Sequence, residues 1–423
     1  MREIVNRRKF IAALGAAGAA SFAGCAGSGG ETPSNEETPG SDDDSTGTDG
    51  EQPGGESPFT RGELVEDFED FENANWGMIR GDATSDSNEV YAGSQSLSLE
   101  NKNGEVAGIY KAFPEGLDLT KHDLSLAVKL DKPAAGYVAA EIIAPARSDM
   151  LTSRRYIPQE LNGWVRIDFG YTERRGEPIM RGVQELRLMV LSDEGTAIQA
   201  RIDDLRRIPK PEKGKVIFQF DDNHISQYET AFDILKKEDM PGSVGVIPDS
   251  VGYTDKLTDG HMREMRDAGW DMMAHPQSSE PLPAYPADKQ REMIQSAKRY
   301  LELKGFPDGA RHFVAPYNRV SNETLDIVSE FHETGFLQGA CPNNAVAPSS
   351  MHTISRVNGE DVEGVQQILN IAEDTGQMVV IAYHDIGDGD DYETTTDQFE
   401  SIVNHVAGQD IDVVTPTQFL DGE

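Results

Sequence analysis

The ten residues Lys215–His224 constrain the fold of this chain more than any other segment. Large apolar side chains alternate along the first six positions, a pattern typical of a buried strand. Two adjacent acids, Asp221 and Asp222, follow directly. In an α/β barrel the carboxyl ends of strands collect catalytic groups, so one carboxylate can hold a metal ion while the other acts as a base. An acidic cap for a following helix explains the same pair equally well.

Strands and helices alternate through residues 211–423, which we assign to one domain. Apolar residues at helical spacing predict four amphipathic helices, at Tyr228–Leu235, Met293–Leu301, Val362–Ala372 and Phe399–Val406. Short apolar runs predict further strands at Ser243–Ile247, Trp270–Ala274, His312–Ala315, Met378–Tyr383 and Ile411–Val414. Repeated β-α units of this size predict an α/β fold, a closed or nearly closed (β/α) barrel.

Polar residues follow four of the predicted strands. Besides the Asp221–Asp222 pair, these are His275, the segment Pro316–Asn318 and the segment His384–Asp385. One histidine after a strand is weak evidence, because it can simply cap a helix. Four such endings are stronger evidence of a functional site, because barrel topology brings the carboxyl ends of all strands to one rim.

The residues from about Lys213 to Leu420 resemble the polysaccharide deacetylase family, also called the NodB-homology or carbohydrate esterase family. The resemblance rests on four motifs: Phe220–Asn223, Gly269–His275, Ala315–Asn318 and Ala382–His384. It implies hydrolysis of acetylated polysaccharide with the help of a divalent metal ion.

The resemblance also implies a role for each motif residue. Asp221 would be the general base and His384 the general acid. Asp222 and His275 would bind the metal ion, and the Tyr317 amide would stabilise the oxyanion. An Asp/His site with open positions favours zinc, although cobalt or manganese also fits.

The sequence departs from the family pattern at the metal site. The second metal-binding histidine usually lies four residues after the first, and that position is Ser279. His224 and Glu280 are the candidate substitute ligands, although neither occupies the motif position. A water molecule or a carboxylate can fill the place of one imidazole, so the change does not exclude metal binding.

Two further family residues are missing from their usual positions. The arginine that tunes the catalytic aspartate would fall at Val314, and Arg311 is nearby but out of register. The acid that orients the catalytic histidine has no clear equivalent, with Asp361 as a weak candidate. These changes leave two hypotheses open, a metal-dependent deacetylase and a catalytically degenerate domain that binds glycan without turnover.

Residues 62–210 have a different pattern, with short alternating strands and frequent turns that predict an all-β sandwich. The stretches Glu66–Glu69, Tyr91–Leu97, Gly163–Trp164 and Ile202–Leu205 weakly resemble jelly-roll carbohydrate-binding modules. Such modules often hold a structural calcium ion between acids of the first and last strands. The candidate ligands here are Glu66, Asp67, Asp203 and Asp204. Ordinary solvated acids are an equally good interpretation in so acidic a chain.

The N-terminus predicts export. Residues 1–25 form a twin-arginine signal, with the arginine pair in Asn6–Phe10, an apolar stretch, and a lipobox-like end at Cys25. Lipidation of Cys25 would anchor the protein to the outer face of the cytoplasmic membrane. The alternative is a non-lipidated signal in which this cysteine is incidental. Residues 26–61 contain almost nothing apolar and predict a disordered acidic linker.

The net charge excludes one class of partner. The chain has 74 acidic and 38 basic residues, for a net charge of −36. Such a surface repels nucleic acid and other polyanions. The excess of acids is spread along the chain and suggests a protein adapted to high salt, where counter-ions screen its self-repulsion.

Overall fold

The structure is a computed structural model that describes residues 57–387 and 393–422. The signal segment, the lipidation candidate Cys25 and most of the linker lie outside the described residues. Within the described ranges, none of the helices has the length and apolar character needed to cross a membrane.

Residues 63–209 form two six-stranded antiparallel sheets, which confirms the predicted all-β sandwich. The strands are β1 Glu63–Glu66, β2 Trp76–Arg80, β3 Asp82–Asp86, β4 Ser96–Asn101, β5 Gly104–Leu117, β6 His122–Lys132, β7 Gly136–Ile143, β8 Met150–Ile157, β9 Val165–Asp168, β10 Tyr171–Arg175, β11 Val183–Glu194 and β12 Ile198–Pro209. One sheet has the order β3-β4-β12-β6-β9, with β1 also paired to β12, and the other has the order β10-β8-β7-β11-β5-β2. Alternating apolar residues of both sheets, such as Leu126 and Leu188, form the buried core between them.

The second half of the chain forms the predicted (β/α) barrel. Its strands are β13 Lys215–Phe220, β14 Ser243–Val246, β15 Asp271–Ala274, β16 His312–Val314, β17 Thr334–Gln338, β18 Asn343–Asn344, β19 Ile354–Asn358, β20 Gln377–Tyr383, β21 Asp385–Gly387, β22 Glu393–Thr395 and β23 Asp412–Val413. Seven of them are parallel in the order β13-β14-β15-β16-β17-β19-β20, and pairing of β20 with β13 closes the ring. The prediction missed β17 and β19.

Helices cover the outside of the barrel. A π-helical turn, Gln227–Phe232, leads into α1 Asp233–Lys237, and the other helices are α2 Asp259–Asp267, α3 Ala287–Lys304, α4 Asn322–Phe331, α5 Val362–Thr375, α6 Thr396–Ala407 and α7 Pro416–Asp421. The four predicted amphipathic segments are helical, and α3 ends at Gly305, which has φ of 91°. Apolar residues such as Ile217 and Val380 fill the barrel interior. Phe218 and Phe399 pack between barrel and helices.

A buried polar junction joins the sandwich to the barrel. The Asp123 carboxylate of β6 accepts hydrogen bonds from Asn344 Nδ2 at 2.8 Å and from Gln377 Nε2 at 2.9 Å. The Gln377 side-chain oxygen in turn accepts from the backbone amide of Tyr171 at 2.9 Å. All four residues are buried. Because each half satisfies buried polar groups of the other, the contact is part of the folded core.

The structure does not assemble the predicted calcium site. Its four acids accept hydrogen bonds from protein donors instead, and they are Glu66, Asp67, Asp203 and Asp204. Glu66 is paired with Lys111 at 2.6 Å, and Asp204 with Arg166 at 2.7 Å. Asp203 accepts from the amides of Tyr91 and Ala92, both at 3.0 Å. The described residues contain no cluster of three or more acid, histidine or cysteine side chains that could hold a metal ion.

Candidate active site

The two acids after β13 point in different directions because the backbone turns sharply there. Asp222 and Asn223 have φ of 69° and 42°, in the left-handed region that most residues avoid. Tyr317 and Asn318, after β16, form a second such pair with φ of 58° and 54°. Each conformation of this kind costs about 1–3 kcal/mol and persists where surrounding structure holds it. Two consecutive pairs on one rim of the barrel mark this rim as the candidate site.

Asp221 forms a buried ion pair with Arg356. Arg356 Nη1 lies 2.8 Å from each oxygen of the Asp221 carboxylate, and Gln219 Nε2 donates to the same carboxylate at 3.1 Å. Arg356 is 1% exposed and Asp221 is 3% exposed. Burial acts to raise the pKa of Asp221, but the charges of Arg356 and two nearby histidines outweigh it and hold that pKa below its ordinary value. Asp221 is therefore an ionised carboxylate in the folded protein.

Arg356 is a site residue that sequence reasoning missed. The position expected for such an arginine is Val314, whose apolar side chain lies inside the barrel. The nearby Arg311 lies away from the site and pairs with Glu333 at 2.8 Å and with Asp421 at 2.9 Å. The usable signal was an arginine two residues after Ile354, on the inward face of a strand that the prediction did not include.

His384, after β20, lies next to the same carboxylate. Its Nε2 is 3.9 Å from Asp221 Oδ2. The buried Gln227 donates from Nε2 to the backbone carbonyls of Asp221 at 2.6 Å and of His384 at 2.8 Å, so it ties the two strand ends together. The predicted orienting acid, Asp361, is wrong, because its side chain caps α5 by accepting from the Gly364 amide at 3.1 Å.

Asp222 and His275 form the second pair of the site. His275 Nδ1 donates to the Val314 carbonyl at 3.1 Å, which leaves Nε2 directed at Asp222 Oδ1, 3.2 Å away. A carbonyl partner on the far nitrogen is the usual arrangement for a metal-binding histidine. In the neutral imidazole this Nε2 and the carboxylate oxygen are both acceptors, and a shared cation satisfies both. The chemistry of this pair therefore fits two ligands of a divalent metal ion.

The structure does not supply a third side chain for that ion. Ser279 is exposed, and its hydroxyl is 3.0 Å from the Tyr285 hydroxyl. Glu280 is also exposed, and among the described residues it belongs to no group of three or more acid, histidine or cysteine side chains that could hold a metal ion. Within the described residues Glu280 therefore does not complete a ligand set with Asp222 and His275.

His224 lies closer to the site but is engaged elsewhere. Its Nε2 is 3.9 Å from Asp222 Oδ2, and Lys256 Nζ donates to the same nitrogen at 3.2 Å. Its Nδ1 lies 3.3 Å from Asp385. Burial and the neighbouring Lys256 lower the pKa of His224. Lys256 therefore occupies the His224 nitrogen that lies on the Asp222 side.

Tyr317 lies opposite these acids at the rim. Its side chain is 55% exposed, and its hydroxyl donates to the Ser278 carbonyl at 3.0 Å. The next residue, Asn318, accepts from the Gln338 amide at 3.0 Å and from Arg356 Nη2. The Arg356 guanidinium thus connects Asp221 with the Tyr317–Asn318 turn, so the predicted base and the predicted oxyanion donor are held by one side chain.

Comparison with known proteins finds a similarity over part of the barrel. Residues 209–335 match the family described as polysaccharide deacetylase. The first part of the barrel is therefore similar to polysaccharide deacetylases. A curated relative from Bacillus subtilis (strain 168), named "Putative polysaccharide deacetylase YxkH", is 28% identical over 151 residues. That match covers 35% of this chain and 52% of the relative, so it spans about half the relative's length.

Solved structures of deacetylases are similar only at a low level. The Streptococcus pyogenes deacetylase PplD is 23% identical, over 37% of this chain and 68% of that chain, with a TM-score of 0.31. The Bacillus subtilis peptidoglycan deacetylase PdaC is 18% identical, over 49% of this chain and 91% of that chain, with a TM-score of 0.35. Scores this low carry no argument about the site. The family match ends before Arg356 and His384.

Proposed function

We propose that this protein is a member of the polysaccharide deacetylase family and a hydrolase that removes acetyl groups from N-acetylated, or alternatively O-acetylated, polysaccharide. The observation that carries the proposal is the Asp221 carboxylate, held ionised by Arg356 and lying 3.9 Å from His384. A buried carboxylate beside a histidine on a barrel rim is an acid–base pair placed where barrel enzymes react. A purely structural ion pair has no need of the neighbouring histidine.

In this proposal each site residue has a role. Asp221 takes a proton from the attacking water, and its depressed pKa keeps it ready to do so at neutral pH. The Tyr317 amide donates to the oxyanion that develops on the acetyl carbonyl. His384, when protonated, donates to the departing amine or hydroxyl group. Arg356 positions Asp221 through two contacts of 2.8 Å.

A divalent ion fits beside these groups. Asp222 and His275 would hold it, with zinc as the default and cobalt or manganese as alternatives. When bound, it would supply Lewis-acid polarisation of the acetyl carbonyl and of water. A complete donor set would need water or substrate at the remaining positions.

The second candidate function is glycan binding without turnover. It is favoured by Ser279, which is exposed and hydrogen-bonded to Tyr285 where the family has a metal-binding imidazole. A site that binds metal weakly still presents hydrogen-bonding groups to a sugar. The two candidates differ in whether acetate is released.

The cellular setting is part of the proposal. We place the protein outside the cell, exported by the twin-arginine route and anchored through a lipid on Cys25. The net charge of −36 suits a high-salt environment and an uncharged polymer as substrate.

The test measures metal content and acetate release on the same samples of full-length protein in high salt. Wild type is compared with Asp221→Asn, Asp222→Ala and the surface control Asp267→Asn. We expect acetate release from acetylated chito-oligosaccharide to be lost in both site variants, and metal to be lost only in Asp222→Ala. Wild-type protein that binds the oligosaccharide but releases no acetate with zinc, cobalt or manganese would instead establish glycan binding.

A further inference from the structure

An exposed tyrosine stands on a loop beside the candidate site. The loop runs from Ile247 to Thr258, between β14 and α2. Tyr253 at its tip is 68% exposed, which is unusual for an aromatic side chain of this size. Its role is not accounted for by the acid–base pair or by the metal pair.

The loop is attached firmly to the segment that carries the site acids. The Leu257 amide donates to the Asn223 carbonyl at 2.9 Å, and the Ile225 amide donates to the Asp255 carbonyl at 3.0 Å. Lys256 Nζ donates to the Asp222 carbonyl at 2.9 Å. These bonds fix the loop backbone against the site, so an aromatic ring presented from it loses little conformational freedom when a ligand binds.

The loop borders a shallow surface depression of about 460 Å³, which is largely open to solvent and is lined by Gly252, Tyr253, Thr254, Asp255 and Lys256. The lining combines one aromatic face with a hydroxyl, a carboxylate and an ammonium group. Gly252 has φ of 84° and open space where a side chain would begin.

We propose that Tyr253 and its loop form a sugar-binding subsite of the catalytic groove, where the tyrosine stacks on the pyranose ring next to the reacting residue. This inference rests on the proposed function. A pyranose ring has an apolar face that packs on an aromatic ring and hydroxyl groups at its edge, and the loop offers partners for both. The negative net charge of the chain repels an acidic sugar and therefore favours an uncharged one.

The experiment compares full-length wild type, Tyr253→Ala and Tyr253→Phe on two substrates, N-acetylated chitohexaose and a small aryl acetate that cannot reach the loop. The control is Leu303→Ala, which truncates a side chain that is 77% exposed on α3, away from the site. We expect Tyr253→Ala to raise KM for the hexamer, and the dissociation constant of the hexamer, by about fivefold. We expect kcat and the hydrolysis of the aryl acetate to be unchanged, and Tyr253→Phe and Leu303→Ala to resemble wild type.

The alternative outcomes separate the subsite from the function. If wild type deacetylates the hexamer and Tyr253→Ala binds it equally well, the subsite is wrong while the proposed function stands. If Tyr253→Ala slows both substrates equally, the tyrosine supports the fold of the site and the subsite is again wrong. If wild type neither binds nor deacetylates the hexamer, both proposals fail.

Discussion

Arg356 and Asp221 are 135 positions apart in sequence and form a fully buried ion pair inside the barrel, with Nη1 at 2.8 Å from both carboxylate oxygens. The pair links β19 to the end of β13 across the barrel interior. It gives the candidate base an ionised form and a fixed orientation at the same time.

Arg356→Met should destabilise the protein and change its pH dependence. Removing one partner of a buried ion pair leaves the other charge unpaired and costs about 3–5 kcal/mol. The pKa of Asp221 should rise without the guanidinium, so the acid limb of kcat/KM should move to higher pH. Denaturant unfolding and a pH–rate profile measure the two effects. Arg356→Lys keeps the charge, so its stability and its acid limb should lie between those of wild type and Arg356→Met. An unchanged acid limb in Arg356→Met would show that Arg356 does not tune the pKa of Asp221.

Ser279→His should strengthen metal binding. The substitution places an imidazole at the position where the family has its second metal-binding histidine, and one additional donor should improve affinity by about tenfold or more. Calorimetric titration of metal-free protein with zinc measures the change without reference to activity. Ser278→His adds the same side chain one position away and serves as the control. Equal zinc affinities in the two variants would mean that a side chain at position 279 does not point toward Asp222 and His275.

His384→Asn should lower kcat by about 10²–10⁴-fold, the usual contribution of a positioned acid or base. The free energy of unfolding should change little, because the His384 side chain is 35% exposed. Acetate release and thermal unfolding are the two measurements. His405→Asn, on the outer helix α6, is the matched control. Loss of folding together with activity in His384→Asn would make the residue structural.

The buried Asp123 at the sandwich–barrel junction should make stability depend on pH. Burial raises the pKa of Asp123 to about 6, with partial opposition from Lys210 and its two amide donors. In the unfolded chain the value is about 3.9, so the folded protein holds the proton more tightly. Its contribution should therefore reduce the free energy of unfolding as pH rises from about 4 to about 6, by up to roughly 3 kcal/mol, and then level off.

That pH effect is measured as a difference between variants. Unfolding free energies of wild type and Asp123→Asn should converge toward low pH, with wild type losing stability relative to the variant as pH rises. Asp374→Asn removes an acid that pairs with Arg174 near the same junction but is exposed, and it should leave the wild-type slope intact. Parallel curves for wild type and Asp123→Asn between pH 4 and 7 would contradict the assignment.

Gln377→Met tests whether the sandwich and barrel unfold together. The change removes the donor to Asp123 and the acceptor of the Tyr171 amide, and each buried group left without a partner costs about 1–3 kcal/mol. Fluorescence and circular dichroism should still report one transition, shifted to lower denaturant. Gln367→Met, at an exposed glutamine that contacts Thr172, is the control. Two separated transitions in wild type would show that the two halves unfold independently.

The sequence predicted the site residues that directly follow a strand. It was less informative about residues whose role depends on contacts between distant segments. Asp221, Asp222, His275 and His384 each follow an apolar run, so barrel topology alone predicts that they meet. Arg356 lies within a short strand of mixed composition, and only the closed ring shows that its side chain points at Asp221. Pairing of this kind depends on which strands face each other, and that information is absent from local periodicity.

The acids of the sandwich show a second limit of predicting a site from sequence. Glu66 and Asp204 have the residue type and strand positions expected of calcium ligands, but Lys111 and Arg166 neutralise them. A chain with so many acids offers many such coincidences, and only the partner of each carboxylate distinguishes an ion pair from a metal site.

The two hydrogen bonds from Gln227 to the carbonyls of Asp221 and His384 join strands that are synthesised at different times. The strand that carries Asp221 is synthesised first among the barrel strands, and its neighbour in the closed ring, β20, comes last of the seven. A nascent chain emerging from the ribosome therefore exposes the apolar flank of β13 through the synthesis of more than half of the barrel. The candidate centre cannot form until residue 384 is available, so premature termination anywhere before it should give an inactive product with an open sheet edge that is prone to aggregation.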